Sequence, residues 1–262
     1  MKSFLATCLV AILVIVPVHA NGKSHGQPPA GAAAQGKNLV TVCTACHGGN
    51  GIATTPSYPN LAGQKYGYIL KQLQDFKDGK RVSSIMSGMA MTIPASSGDR
   101  NLDDIAAYFH LMKPMWAASS HAGTSSDAQH LLGKALFTRG EHADRIPACA
   151  ACHGLAGEGN GPMAVPSLAG QHAAYIVAQL QKFARGKRKN STGHVMYVIA
   201  RKLTSKQMSA VAAYVEELNP DTTLGIGPKD FVKYTRALHA RHAGRDAGTS
   251  KSAPAPASSS HE

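Results

Sequence analysis

Cys43-Thr44-Ala45-Cys46-His47, and again Cys149-Ala150-Ala151-Cys152-His153, are the stretches on which the reading of this chain turns. Two thiols separated by two residues can add to the two vinyl groups on one edge of a porphyrin, and the histidine that follows then lies beneath the iron. Paired C-x-x-C segments also suit a redox dithiol or a four-cysteine zinc centre. Neither of those needs a histidine directly after the second cysteine, and here one follows both times. The pattern points to two covalent c-type haems, with Cys43, Cys46, Cys149 and Cys152 as attachment positions and His47 and His153 as proximal ligands.

Outward from the motifs the chain repeats itself. Cys43 maps to Cys149 at an offset of 106 residues. Leu61-Ala62-Gly63-Gln64 maps to Leu168-Ala169-Gly170-Gln171 at 107, as do Tyr68 to Tyr175, Gln72-Leu73 to Gln179-Leu180, Phe76 to Phe183 and Gly79-Lys80-Arg81 to Gly186-Lys187-Arg188. Ala106-Ala107-Tyr108 maps to Ala212-Ala213-Tyr214 at 106 again. Two homologous domains explain this most economically. Within the first, a short helix from Gln35 runs through Leu39 and Val42 into the motif. A loop follows, over Gly48-Gly49-Asn50-Gly51 and on to Pro59. Tyr66, Ile69, Leu70, Leu73 and Phe76 recur at helical spacing and predict an amphipathic helix stopping near Gly79. A looser segment holds Met86, Met89 and Met91, and a last helix opens over residues 99–104 and ends at Pro114.

Of five cysteines, four sit in the motifs and Cys8 lies near the N-terminus. Lys2, the apolar run from Phe4 to Val18 and His19-Ala20 read as a secretory leader cleaved after Ala20, too short for a membrane span. Leu5-Ala6-Thr7-Cys8 is set aside as a lipidation signal because almost no apolar run precedes the cysteine. The mature chain then keeps no thiol outside the motifs. Only 44% of residues are hydrophobic and 6% aromatic, and a porphyrin in each core supplies the missing apolar bulk. The formal charge is +12, or +11 once Lys2 leaves with the leader. Such a balance suits nucleic acid, an anionic membrane surface or an acidic protein, and for an exported chain nucleic acid is set aside.

A haem that only moves electrons needs a sixth ligand, and a methionine thioether is the usual soft choice; it raises the reduction potential relative to bis-histidine ligation. The second half offers Met163, Met196 and Met208, and the first offers Met86, Met89, Met91 and Met112. Ile85-Met86 and Val195-Met196 share a context, each soon after the Gly-Lys-Arg that follows the middle helix, so the repeat selects Met86 and Met196. Met86 lies about four residues farther from its last helix than Met196 does, which leaves Met89 and Met91 open as alternatives.

The tandem C-x-x-C-H motifs, the Leu-Ala-Gly-Gln segments, the Tyr-x-x-x-Gln-Leu helices, the methionine segments and the Ala-Ala-Tyr last helices together resemble the diheme cytochrome c4 family, over roughly residues 35–219. The resemblance implies an all-α fold of two tandem class I cytochrome c domains, each wrapped around one covalently attached haem. It also implies that the carbonyls of Pro59 and Pro166 accept the proximal histidines. In such domains a glycine of the first helix packs on an aromatic of the last, matched by Gly36 with Tyr108 and Gly133 with Tyr214. The expected layout is a leader over 1–20, a lead-in over 21–34, domains at 35–113 and 129–220 joined by a linker at 114–128, and a basic, Ala/Pro/Ser-rich, largely disordered tail from 221.

The implied role is periplasmic electron carriage between a quinol-linked donor and an acceptor such as a terminal oxidase. A basic rim of Lys80-Arg81 or residues 185–189 would meet an acidic partner. In the tail, Phe231, Tyr234 and Leu238 can share a helix face ringed by cations, which suits peripheral contact with an anionic membrane, although a solvated or domain-packed helix is the favoured reading. Two other readings stand beside the carrier. One is a diheme enzyme of the peroxidase or thiosulfate dehydrogenase type, which needs an open or cysteine-ligated iron; the other is a haem subunit of a larger dehydrogenase.

Overall fold

The computed structural model describes residues 26–96, 99–114 and 127–220. The expected leader, Cys8 and the tail with its candidate helix face lie outside the described residues. Ten α-helices order the described chain, five to each half, and the only bridges outside them are the short pairs Glu141 with Ile146 and Asn160 with Val165. None of the described helices is long and apolar enough to cross a membrane.

The first half begins with α1 (Ala32–Leu39) and α2 (Thr41–His47), which carries the first motif. The expected single helix is therefore two, broken at Val40, whose φ of −95° and ψ of 0° leave the helical well. It also starts earlier, inside the stretch expected as lead-in, because the run Ala32-Ala33-Ala34 has high helix propensity. Helix α3 (Tyr66–Lys77) buries Tyr66, Ile69, Leu70, Leu73 and Phe76, the face read from spacing. Gly79, at a φ of +70°, ends it in a backbone region that suits glycine. The methionine segment expected to be loose is a helix, α4 (Met86–Met91), and α5 (Arg100–Leu111) closes the domain.

The second half runs through α6 (Asp127–Arg139), α7 (Ala150–His153), α8 (Ala173–Ala184), α9 (Val195–Ala200) and α10 (Ser205–Glu217). Thr204 caps α10 with a reciprocal box: its hydroxyl accepts from Gln207 N–H at 3.2 Å, and the Gln207 side chain accepts from Thr204 N–H at 2.8 Å. Each domain has its own core. Leu70, Leu102, Ile105 and Phe109 centre the first, and Phe137, Leu180, Val211 and Val215 the second.

First and last helices cross in near backbone contact. A Cβ on Gly36 of α1 would stand 2.1 Å from the Asp104 carbonyl oxygen and 2.9 Å from Tyr108 Cβ of α5. On Gly133 of α6 it would stand 2.2 Å from the Ala210 oxygen and 2.8 Å from Tyr214 Cβ of α10. The family pairing of Gly36 with Tyr108 and Gly133 with Tyr214 is thus met by geometry, since any side chain at either glycine would drive the helices apart. Gly133→Val should cost roughly 2 kcal/mol or more in urea unfolding. Gly88, exposed in α4 with open space at its Cβ position and no positive φ, should behave oppositely. Gly88→Ala is expected to stabilise by about 0.5–1 kcal/mol in the same assay.

Candidate haem sites and the interface between them

The four motif cysteines lie on or beside α2 and α7 and are not joined as disulfides; Cys43, Cys46 and Cys149 are half-buried and Cys152 is exposed. Burial raises the Cys43 thiol above its ordinary pKa and pushes the Cys149 thiol up to about 11. Among the described residues no group of three or more His, Cys, Asp or Glu side chains is gathered as for a metal ion.

The histidines that follow are buried, His47 at 6% exposure and His153 at 7%. His47 Nδ1 lies 2.9 Å from the Pro59 carbonyl oxygen, and His153 Nδ1 lies 2.9 Å from that of Pro166. A carbonyl can only accept, so Nδ1 carries the proton in both rings and the neutral tautomer leaves Nε2 with a bare lone pair. Burial lowers both histidine pKa values, with the proline carbonyls opposing it, and so keeps the rings neutral. Among the described residues neither Nε2 has a hydrogen-bond partner. A buried, oriented, unpartnered imidazole nitrogen beside a cysteine pair fits the proximal side of a c-type haem.

The methionines divide by position. Met86 opens α4 with its N–H donating to Ser83 Oγ at 3.2 Å, and Met196 stands at the start of α9 with its N–H donating to Ser191 Oγ at 3.1 Å. Both are half-buried, and Met196 packs on the same core as Cys149 and Ala150 of the second motif. Met89 is also half-buried on α4. Met91 and Met163 are 66% and 65% exposed. Met208 is buried within α10, and the Met112 sulfur lies 3.0 Å from the Cβ position of Gly51, in the loop after the first motif.

The two domains meet through a polar cluster that repeats across a pseudo-two-fold relation. Arg81 donates to Gln72 Oε1 at 2.9 Å within its own domain, and across the interface to Tyr175 OH at 3.0 Å and Gln179 Oε1 at 2.9 Å. Arg188 mirrors it, donating to Gln179 at 2.8 Å, Tyr68 OH at 3.0 Å and Gln72 at 3.0 Å. Each guanidinium also covers its own domain's phenylalanine, Phe76 at 4.6 Å and Phe183 at 4.4 Å from the ring centroid. Among the described residues neither arginine has a carboxylate within ion-pair distance, so two positive charges are buried here. Against burial, which raises it, Arg188 and Arg81 hold the Tyr68 phenol below its ordinary pKa. The basic rim read from sequence therefore needs correction. Arg81 and Arg188 are 8% and 6% exposed and face the other domain, while Arg185, Lys187 and Lys189 stay at the surface.

A second set of cross-domain bonds joins Gln64 to Ser167 and Gln171 to Asn60, the residues directly after the two proline acceptors. Sequence reasoning missed this whole interface. Its signal was present as polar residues, Tyr68, Gln72 and Arg81, recurring at the same offset as the apolar ones.

Fold and sites together are those of tandem class I cytochrome c domains. The sequence profile of the cytochrome c family matches residues 33–113 and again 131–219. Cytochrome c4 of Azotobacter vinelandii is 37% identical over 218 residues, which span 80% of this chain and 98% of that protein. The thiosulfate dehydrogenase electron acceptor of Stutzerimonas stutzeri is 38% identical over 183 residues, spanning 69% of this chain and 81% of that one. The crystal structure of reduced recombinant cytochrome c4 from Pseudomonas stutzeri superposes with a TM-score of 0.65 at 38% identity, covering 71% of this chain and 98% of that one. The chain belongs to the diheme cytochrome c4 family and is an electron-transfer protein with two covalently bound haem c groups.

Arg188→Leu should destabilise the holoprotein by on the order of 3 kcal/mol, and so lower its thermal midpoint, because buried acceptors of both domains lose their donor. Calorimetry is expected to resolve the single transition into two as the domains uncouple. An unchanged, single transition would show that the cluster carries little of the coupling.

Proposed function

We propose that the chain is exported to the periplasm and carries electrons one at a time from a quinol-linked reductase to an acceptor such as a terminal oxidase. Cys43 with Cys46, and Cys149 with Cys152, form the thioether links; His47 and His153 are the proximal ligands, held by Pro59 and Pro166; Met86 and Met196 are the distal ligands. The observation that carries this reading is the matched pair of buried imidazoles, each anchored through Nδ1 at 2.9 Å with Nε2 bare. When bound, haem c supplies the one-electron iron couple. The protein's part is to fix the ligands, keep water out and tune the potential. The two buried guanidiniums would supply positive charge to offset the anionic propionates that each haem brings.

Equivalent serine-held positions on α4 and α9 support Met86 and Met196, and exposure weighs against Met91 and Met163. Met86→Ala and Met196→Ala should each open one iron of the pair, so that half of the reduced haem binds carbon monoxide while Met89→Ala binds none. An opened iron in Met89→Ala with a closed one in Met86→Ala would move the first ligand to Met89.

Charge divides the domains and favours a side for the partner. Residues 35–113 hold eight Lys and Arg against five Asp and Glu, net +3, and residues 129–220 hold eleven against five, net +6. The turn after α3 reads Asp78-Gly79-Lys80-Arg81-Val82, with Lys80 paired to Asp78 at 2.9 Å. Its counterpart after α8 reads Arg185-Gly186-Lys187-Arg188-Lys189. There Lys189 and Arg201 flank Tyr197 at 5.3 and 5.2 Å, beside the exposed Val195 and Val198 of α9. An acidic redox partner docks on this second-domain face. Lys187→Glu combined with Lys189→Glu should slow oxidation by an acidic blue-copper protein about tenfold at low salt and flatten its salt dependence. Lys80→Glu should change that rate far less; equal effects would remove the assignment.

Relatives named as electron acceptors of thiosulfate dehydrogenase support a second class of donor, a sulfur-oxidising enzyme, for the same carrier chemistry. The enzyme reading itself has less support, since the four cysteines beyond the expected leader are taken by the motifs.

A further inference from the structure

Each proline carbonyl that accepts a proximal histidine belongs to a peptide group whose N–H sits on the next residue, and in both domains that N–H crosses the interface. Asn60 N–H donates to Gln171 Oε1 at 2.9 Å, and Ser167 N–H donates to Gln64 Oε1 at 2.7 Å. The glutamines close each loop of bonds by donating back, Gln171 Nε2 to the Asn60 carbonyl at 3.0 Å and Gln64 Nε2 to that of Ser167 at 2.9 Å. Gln64 and Gln171 are buried at 6% and 5% exposure. Their Oε1 atoms are held from the other side as well, accepting Lys65 N–H at 2.8 Å and His172 N–H at 3.2 Å just before α3 and α8.

We infer that Gln171 and Gln64 are positioning residues acting in trans: each tunes the proximal histidine of the opposite domain through the single peptide group that it shares with that histidine. The inference rests on His47 and His153 being the iron ligands. A peptide whose N–H is engaged carries more negative charge on its carbonyl oxygen, so hydrogen bonds in series strengthen one another. The chain runs from Gln171 Oε1 through Asn60 N–H and Pro59 C=O to His47 Nδ1–H, and identically from Gln64 through Ser167 and Pro166 to His153. A stronger bond at Nδ1–H makes the imidazole a richer donor at Nε2, which stabilises the ferric state and lowers the potential. Each iron is thereby set by docking of the other domain. A glutamine that served only as glue would act on both domains alike.

The test uses the full-length holoprotein labelled with ¹⁵N-histidine, after a haem count of two and a low-spin spectrum are verified. In the reduced protein the two Nδ1–H resonances are assigned by their proximity to Asn60 and Ser167. Gln171→Met should move the His47 resonance upfield, leave His153 in place and raise one of the two reduction potentials. Gln64→Met should do the converse and raise the other. Gln171→Glu, which keeps an accepting oxygen, should leave the His47 resonance at or downfield of its original position. Shifts in the mutated residue's own domain, equal shifts in both, or no shift would overturn the inference. Absence of both Nδ1–H resonances from the unmutated low-spin protein is a different result, and it would remove the ligand assignment itself.

Discussion

The hydrogen bond from a buried histidine Nδ1 to a proline carbonyl is the constraint that the rest of each domain serves. It fixes the tautomer, and the tautomer leaves Nε2 as the nitrogen free to ligate, which on the proposed reading is the one that meets the iron. Burial keeps the ring neutral, and the loop between the motif and α3 or α8 exists to bring the carbonyl to it. Everything that holds this loop still, including the other domain, bears on the orientation of the histidine.

The interior of the molecule is nearly symmetric and its surface is not. Gln64 with Gln171, Tyr68 with Tyr175, Gln72 with Gln179 and Arg81 with Arg188 occupy matching places across the interface. Buried polar clusters constrain both partners at once, because a change on one side strands hydrogen-bonding groups on the other. At the surface no such reciprocity holds. Asp78 stands where the second domain has Arg185, and Val82 where it has Lys189. A duplicated unit in this arrangement keeps one matched interface between its halves while the two outer surfaces differ in charge.

Much of this was legible in the sequence because the chemistry demands particular residues. A thioether link needs cysteine, the proximal position needs histidine directly after it, and the helix crossing needs glycine at Gly36 and Gly133. The long amphipathic helix α3 announced itself through its apolar spacing, and α8 through the repeat that maps it onto α3. Helices α4 and α9 did not, since six residues span fewer than two turns and show no period. The arginines were misread for a physical reason. A Gly-Lys-Arg turn looks like a solvated surface, and only the tertiary fold shows that the arginine curls over Phe76 or Phe183 and under the opposite tyrosine. Periodicity ranks burial by hydrophobicity, and a buried polar interface between domains defeats it.

On the proposed reading both irons are closed by one histidine and one methionine and serve only to pass electrons. The most direct measurement is the optical spectrum of the unmutated protein purified from the periplasm, oxidised and reduced, with a pyridine haemochrome count and addition of carbon monoxide. Two c haems per chain, a far-red sulfur-to-iron band when oxidised and no response to carbon monoxide are the predicted result. A high-spin ferric signal, or rapid carbon monoxide binding at either haem, would mean an exchangeable iron and contradict it.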